Sequence, residues 1–427
     1  MIGQRTTDMF GVGETSILDA VKNDKLFGLV RCDIHVPEHL KQSFEELQPI
    51  FKNTLVSRDD IGEHMKKYAT EHKMLTQPRK TLVASYFANN IVLITPLLKW
   101  YMEHGLVVSN ISIVLEYCPK PCFKEFGERV SDARRSGDSD PSKHIVAETF
   151  KLLGNSAYGK TITNVATHRD TFYSKDKDDI ARKVADPKFK KLVELNDGLV
   201  ELELGKKTVV WALPLQIGFF VYQYAKLRML EFYYDFLDRF VSRTDFQLLE
   251  MDTDSLYIAL SHESLDRVVK PEKKREYFEC FRDWFPSPHC EEHFSNFVTA
   301  RLEDRDDWIP CTYCLQRLKY DKRTPGLFKI EYTGHSFVGL CSKTYFCDGQ
   351  GGNKFSSKGL NKNHNELSFH SYQRVLDTKT SGGGLNVGFR TDGQCVFTYF
   401  QKRKSLSYFY IKRLVCQDGV STLPTLV

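Results

Sequence analysis

One stretch limits this chain more than any other: Leu248-Leu-Glu-Met-Asp-Thr-Asp-Ser-Leu-Tyr-Ile-Ala-Leu260. Two apolar, strand-like runs flank Asp252-Thr253-Asp254, so the segment predicts a β-hairpin with two carboxylates at its tip. Residues i and i+2 of a strand point to one side, which would project Asp252 and Asp254 together. Like charges so placed are unfavourable unless a cation neutralises them, and oxygen-only ligands suit Mg²⁺ or Mn²⁺. An exposed Asp-Thr-Asp turn of the kind common in surface hairpins fits the same residues. The choice between the two rests on what else the chain carries.

The segment from Lys143 to about Asn164 predicts a helix on which Lys151, Asn155 and Tyr158 share a face at spacing i, i+4, i+7. A stripe that mixes a cation, an amide and a phenol is unusual for a merely wet face. Gly154 and Gly159 sit beside it, each costing about 1 kcal/mol against alanine in a helix interior, which predicts a close approach to the backbone. Pro214 opens a second long helix, Leu215 to about Phe240, whose aromatic and aliphatic stripe reads as core.

Elsewhere the pattern alternates irregularly between strand and helix, without βαβ periodicity or internal repeats, which predicts an α+β fold. Strands are expected at Phe27–Val36, Val107–Tyr117, Arg323–Tyr332 and Val338–Phe346, and a helix at Pro96–Gly105. Hairpins are expected around Asn89-Asn90 and around Gly205-Lys206-Lys207. Asp33 lacks a carboxylate partner at strand spacing and reads as structural. Arg134 and Arg135 read as a solvated pair or as phosphate contacts. On the Val338–Phe346 strand, Lys343 and Tyr345 would share a face. The Gly/Ser/Lys-rich loop that follows offers Lys354 and Lys358 to a phosphate backbone. Ser381-Gly382-Gly383-Gly384 reads as a loop introducing a last β/α module. Cys311-Thr-Tyr-Cys314 with His289, Cys290 and His293 upstream could be drawn as a structural zinc site, although Pro286 and Pro288 make the first half irregular.

The 427 residues are 41% hydrophobic and 13% aromatic, enough for a full core divided among two or three parts. A net charge of +5 permits nucleic-acid binding without arguing for it. No run approaches the ~20 uninterrupted apolar residues of a membrane span. The first residues lack a signal peptide's pattern, and eleven cysteines then predict reduced thiols and an intracellular setting; the nucleus would fit a replicating transposon.

Taken together the segments resemble family B DNA polymerases, most closely the protein-primed type of viruses, linear plasmids and large eukaryotic transposons. Lys151-Leu-Leu-Gly-Asn-Ser-Ala-Tyr-Gly159 matches the family's fingers motif K-x₃-N-S-x-Y-G at every fixed position. Asp252-Thr-Asp-Ser255 matches the palm motif D-T-D-S, and Lys343-Thr-Tyr345 matches K-x-Y, all in the family's order. The resemblance runs from about Phe27 to the C-terminus. It implies a right-hand architecture: an antiparallel palm sheet, helical fingers and a C-terminal thumb. Palm would occupy 1–142 and 241–346, fingers 143–240 with a charged insertion at about 165–212, and thumb 347–427. It implies that Asp252 and Asp254 hold two Mg²⁺ (or Mn²⁺) ions against the primer 3′ hydroxyl and a dNTP. Lys151 would then neutralise triphosphate charge, Asn155, Tyr158 and Gly159 would line the nucleotide, and Lys343 and Tyr345 would steady primer–template DNA. A terminal protein could serve as primer.

The family's other palm carboxylate lies in D-x₂-S-L-Y-P, which occurs nowhere before Lys151, and the carboxylates of a 3′–5′ exonuclease domain are also missing. The expectation is therefore the C-terminal portion of a polymerase, N-terminally incomplete in its catalytic site. A non-catalytic primer–template-binding remnant is the alternative from another class. An RNA-templated polymerase is disfavoured because its hairpin usually carries adjacent aspartates.

Overall fold

The computed structural model describes residues 4–6, 13–195, 197–286, 311–349 and 351–427. The chain is mixed α/β, its strands paired in antiparallel sheets. It divides into two compact units that interleave along the sequence: Met1–Lys52, Ala84–Thr161 and Leu215–Glu331 form the first, and Asn53–Val83, Ile162–Pro214 and Tyr332–Val427 the second.

The first unit is built on a four-stranded sheet in the order Gln4–Thr6, Val107–Tyr117, Gly28–His35, Phe87–Ile94. Gly28–His35 buries every second side chain, Val30, Cys32 and Ile34 among them, as its alternating sequence dictates. The helix Thr95–Glu103 places Pro96 in its first turn and is followed by Gly105 at φ +82°. The long helix Leu215–Leu230 continues into a wider π-helical turn, Glu231–Leu237, whose Phe236 is wholly buried. Around Phe236 lie the rings of Phe232, Phe240, Tyr277, Trp284 and Phe285, with centroids 5.2–5.7 Å away.

No hairpin forms at Asn89-Asn90. Phe87–Ile94 runs through as one strand beside Gly28–His35, while Arg79–Ser85 pairs with Ile50–Val56. The asparagine signal is real but serves a bulge: Asn90 adopts φ +52° where the register shifts between Cys32 and Ile34. Asp33 accepts hydrogen bonds from Asn90 N and Asn110 Nδ2, both at 2.7 Å, and these hold its carboxyl below the usual range. Asp33 therefore has the structural role expected of it, locking two asparagines that share φ +52°.

Arg323–Tyr332 forms no strand either. Phe328 anchors it, with its ring 4.3 Å from Phe232 and its N–H donating to the carbonyl of Trp284. Phe328 is half-buried against the aromatic cluster, while Ile330 is exposed. The polar run from Ser131 is helical, within Lys124–Ser139.

His104 stacks on Trp100, donates through Nδ1 to the Trp100 carbonyl at 2.8 Å, and places Nε2 2.7 Å from Asp235. Burial pushes its pKa down, but the bonds to Asp235 and Trp100 outweigh that and raise it above the ordinary 6.5. A raised folded-state pKa gives stability that is whole below pH 6.5 and is lost as pH rises through the folded value. Urea unfolding is expected to show more stability at pH 6 than at pH 8 from this pair. His104→Gln should flatten that difference; an unchanged pH profile would refute the assignment.

The second unit has its own core, from Val56, Ile61, Met65, Val83, Phe346, Tyr372, Val375 and Leu406 among others. One three-stranded sheet runs Ser336–Cys341, Thr344–Asp348, Lys354–Ser356. Another has Val200–Gly205 in the centre, between Arg169–Ser174 and Phe189–Glu194. The turn expected at Gly205-Lys206-Lys207 is thus displaced: the hairpin closes between Glu194 and Val200, and Gly205 ends the central strand. The charged segment expected at about 165–212 falls in Ile162–Pro214.

The last module is a β-hairpin, Gly382–Asp392 with Cys395–Leu406, and contains no helix. Its glycines belong to the strand, because a Cβ at Gly383 would lie 2.5 Å from the Arg403 carbonyl oxygen and one at Gly384 would collide with Asn365. Glu201, almost fully buried, accepts from Arg390 Nε at 2.6 Å and from the Tyr173 hydroxyl at 3.1 Å. The Arg390 guanidinium lies over the Tyr399 ring. This network ties the hairpin to the central strand Val200–Gly205.

Among the described residues no helix is long and apolar enough to cross a membrane.

Candidate active site

The hairpin forms as its sequence predicts, Phe246–Asp252 antiparallel to Ser255–Leu260, with Asp252 opposite Ser255. Its tip differs from a plain strand continuation. The strand ends at Asp252, Asp254 lies in the turn, and Thr253 between them adopts φ +44°. The Asp254 N–H donates to the Asp252 carbonyl at 2.5 Å, closing a three-residue turn. The period-two rule therefore does not set the relation of the two carboxylates; the turn does. Asp252 is half-buried and Asp254 exposed. Upstream, the strand is held at its bulge by Glu46, whose carboxylate accepts from Leu248 N at 2.6 Å and from the Tyr233 hydroxyl.

The helix bearing the second motif spans His144–Thr161. Lys151 and Asn155 are exposed, and Lys151 Nζ lies 3.3 Å from Glu148 in a solvent-facing pair. Tyr158 is half-buried, with its ring 5.8 Å from Tyr222 and nearly perpendicular to it. Burial, Tyr222 and the Asp254 carboxylate together push the Tyr158 phenol upward. The Asp254 contribution puts the end of the motif helix within electrostatic reach of the aspartate hairpin.

Of the two glycines, Gly154 meets the expectation of close packing, since a Cβ there would come 3.2 Å from Val130. Among the described residues nothing lies within 4 Å of a Cβ built on Gly159, so the close approach expected there is not found. Tyr222 was hidden in the apolar helix Leu215–Leu230. The periodicity predicts a core stripe, yet Tyr222 and Tyr224 are exposed. The legible signal was the phenol oxygen, which a wholly buried stripe would have to satisfy.

The two arginines upstream part company. Arg135 is consumed: it pairs with Asp132 at 2.8 Å and stacks 3.7 Å from the centre of the Tyr320 ring. Arg134 stands with Arg323, which Asp138 holds through two hydrogen bonds. Burial and the Arg323 charge push the Arg134 pKa down, and Glu148, the partner of Lys151, opposes that. Lys151, Arg134 and Arg323 thus form a cationic group around Glu148 and Asp138.

In the second unit Lys343 is not on a strand face with Tyr345. It sits in the two-residue turn between Ser336–Cys341 and Thr344–Asp348 at φ +65°, as such a tight turn demands. Tyr345 stacks on Phe337 at 5.9 Å. The expected flexible loop instead begins as a strand, in which Lys354 pairs with Cys347 and Ser356 with Tyr345. Lys358 follows, exposed, its carbonyl accepting from Ser405. Lys343, Tyr345, Lys354 and Lys358 are therefore gathered on or beside one small sheet.

Cys311 caps the helix Thr312–Asp321, with its Sγ 3.3 Å from that of fully buried Cys314. His289, Cys290 and His293, the rest of the expected zinc set, lie outside the described residues. Among the described residues no group of three or more His, Cys, Asp or Glu side chains could hold a metal ion. Asp252 and Asp254 do fit the habit of Mg²⁺, which typically takes one or two carboxylates and completes its shell from substrate phosphates and water. Comparison with protein-family models, with curated proteins and with solved structures finds no match for this chain.

Proposed function

We propose that this chain is the polymerase portion of a family B DNA polymerase of the protein-primed type, which adds deoxynucleotides to a primer 3′ hydroxyl. The reading assigns palm to the Asp252-Thr253-Asp254 hairpin, fingers to His144–Thr161, and thumb to the C-terminal residues from about 347. The observation that carries it is that the Asp252-Thr253-Asp254 hairpin and the helix bearing Lys151, Asn155 and Tyr158 both form, and form within the same compact unit. The Lys151, Arg134 and Arg323 cluster adds support, because phosphoryl transfer depends on positioning and charge neutralisation.

In this reading Asp252 and Asp254 hold Mg²⁺, which when bound activates the 3′ hydroxyl and shields the triphosphate. Lys151 draws the triphosphate against the helix by charge. Tyr158, braced by Tyr222, packs against the nucleotide, and Gly159 leaves room for it. Lys343, Tyr345, Lys354 and Lys358 meet the backbone of primer–template DNA.

Two measurements test this. Mn²⁺-dependent dNTP binding, followed by fluorescence, should weaken at least tenfold in Asp254→Ala and in Lys151→Ala. Binding indifferent to both substitutions and to metal would sink the reading. Primer extension by the 427-residue chain with Mg²⁺ or Mn²⁺ should be undetectable, because D-x₂-S-L-Y-P is absent from it. Robust extension abolished by Asp254→Ala would mean that another ligand replaces that carboxylate.

A further inference from the structure

Where the sheet centred on Val200–Gly205 meets the C-terminal hairpin, a cavity of about 370 Å³ is lined by Lys191, Arg390, Lys402 and Arg403, with Glu201 and Gln401 between them. Four cationic residues and one carboxylate contribute to its lining. That carboxylate is already committed, because Glu201 accepts from both Arg390 and Tyr173. Lys191 Nζ has Glu203 only at 3.9 Å, the far edge of an ion pair. Arg403 Nε donates to Gln401 Oε1 at 2.7 Å, a neutral partner that orients the guanidinium without cancelling its charge.

Converging like charges repel, and an anion that bridges them is the simplest relief. A second cavity nearby, of about 310 Å³, shows the contrast: Asp170, Asp179 and Asp186 balance its cations, and Asp179 pairs with Lys183 at 3.2 Å. The 370 Å³ cavity has no such balance. Its size lies in the ordinary range for ligand pockets and exceeds what one phosphate needs. Two guanidiniums provide the planar forks that match phosphate oxygens, and two lysines add unspecific charge. Its lining comes from paired strands, so its cations are carried on regular structure instead of loops.

We propose that this cavity binds a run of successive phosphates, supplied either by a nucleic-acid strand or by a free oligophosphate. The inference stands apart from the aspartate hairpin and does not need the polymerase reading.

The test uses the full chain, a fluorescent single-stranded oligothymidylate and inorganic tripolyphosphate. The triple variant Lys191→Gln/Lys402→Gln/Arg403→Gln leaves the Arg390–Glu201 bond intact. It should weaken oligothymidylate binding at least tenfold and lower the slope of log affinity against log salt by about 2, as expected for three lost contacts at ~0.7 each. If tripolyphosphate competes with the oligonucleotide, the pocket takes phosphate chains from either source. If tripolyphosphate alone protects the wild type, but not the variant, against thermal unfolding, the source is a free oligophosphate. A control triple at exposed positions of the same unit, Lys80→Gln/Lys175→Gln/Lys177→Gln, should bind as wild type. Equal weakening in control and pocket variants would overturn the proposal in favour of diffuse charge, and so would a pocket variant that binds both probes normally.

Discussion

Phe236→Ala is expected to destabilise the first unit by about 3–5 kcal/mol. Phe236 is wholly buried and surrounded by five aromatic rings. Removing the ring forfeits its transfer free energy and leaves a cavity that stiff aromatic neighbours can close only in part. The site lies in the π-helical turn, where collapse of the helix inward would break backbone hydrogen bonds. Urea unfolding followed by circular dichroism measures the loss, and Phe236→Leu should retain more of the stability. A cost for Phe236→Ala below about 1 kcal/mol would show that the rings repack freely and that the cluster is not a rigid core.

The second large effect belongs to Arg390. Arg390→Met strips the buried Glu201 carboxylate of its cation and leaves only the Tyr173 hydroxyl on it. Breaking a buried pair from one side costs about 3 kcal/mol, because the remaining charge is stranded. Replacing both ends is cheaper than replacing one, so Glu201→Gln/Arg390→Met should recover most of that loss. The measurement is a double-mutant cycle in denaturant. Additive losses in the double variant would mean that the two side chains do not depend on each other. The same cycle reports on the join between the central strand Val200–Gly205 and the C-terminal hairpin, since this network spans it.

The legible parts of the fold were those where local pattern and burial agree. The hairpin around Asp252 follows from its two apolar runs, and Val107–Tyr117 and the helices beginning near His144 and Leu215 follow from periodicity with Gly or Pro just before them. Pattern and structure part where one residue type serves two geometries. Asn90 carries the left-handed backbone of a turn, but a bulge uses it equally well once Asp33 accepts its N–H. Gly382, Gly383 and Gly384 look like a linker, yet they are strand residues that let Arg403 and Asn365 approach. Arg323–Tyr332 has strand composition but finds no partner strand among the described residues, and Phe328 packs on Phe232 instead.

At the candidate site the sequence named Asp252, Asp254, Lys151, Asn155 and Tyr158, and it could not see the packing of Tyr158 against Tyr222 or the closeness of Arg134 to Arg323. Both depend on segments brought together across long stretches of chain, which no local pattern encodes. Lys343 shows the reverse, since two residues of offset imply a common face only where the backbone is extended.

The interleaving of the two units bears on how the chain is made. The boundary between them is crossed five times, after Lys52, Val83, Thr161, Pro214 and Glu331. Neither unit is a continuous stretch, so neither can be expressed by simple truncation. The sheet strand Gly28–His35 emerges from the ribosome early, yet the aspartate hairpin and the aromatic cluster that complete its unit are translated more than two hundred residues later. Synthesis at about 5–20 residues per second leaves that strand waiting on the order of ten seconds or more. During that interval its apolar face is a chaperone client, and yield in a heterologous host should respond to holdase supply more than to temperature.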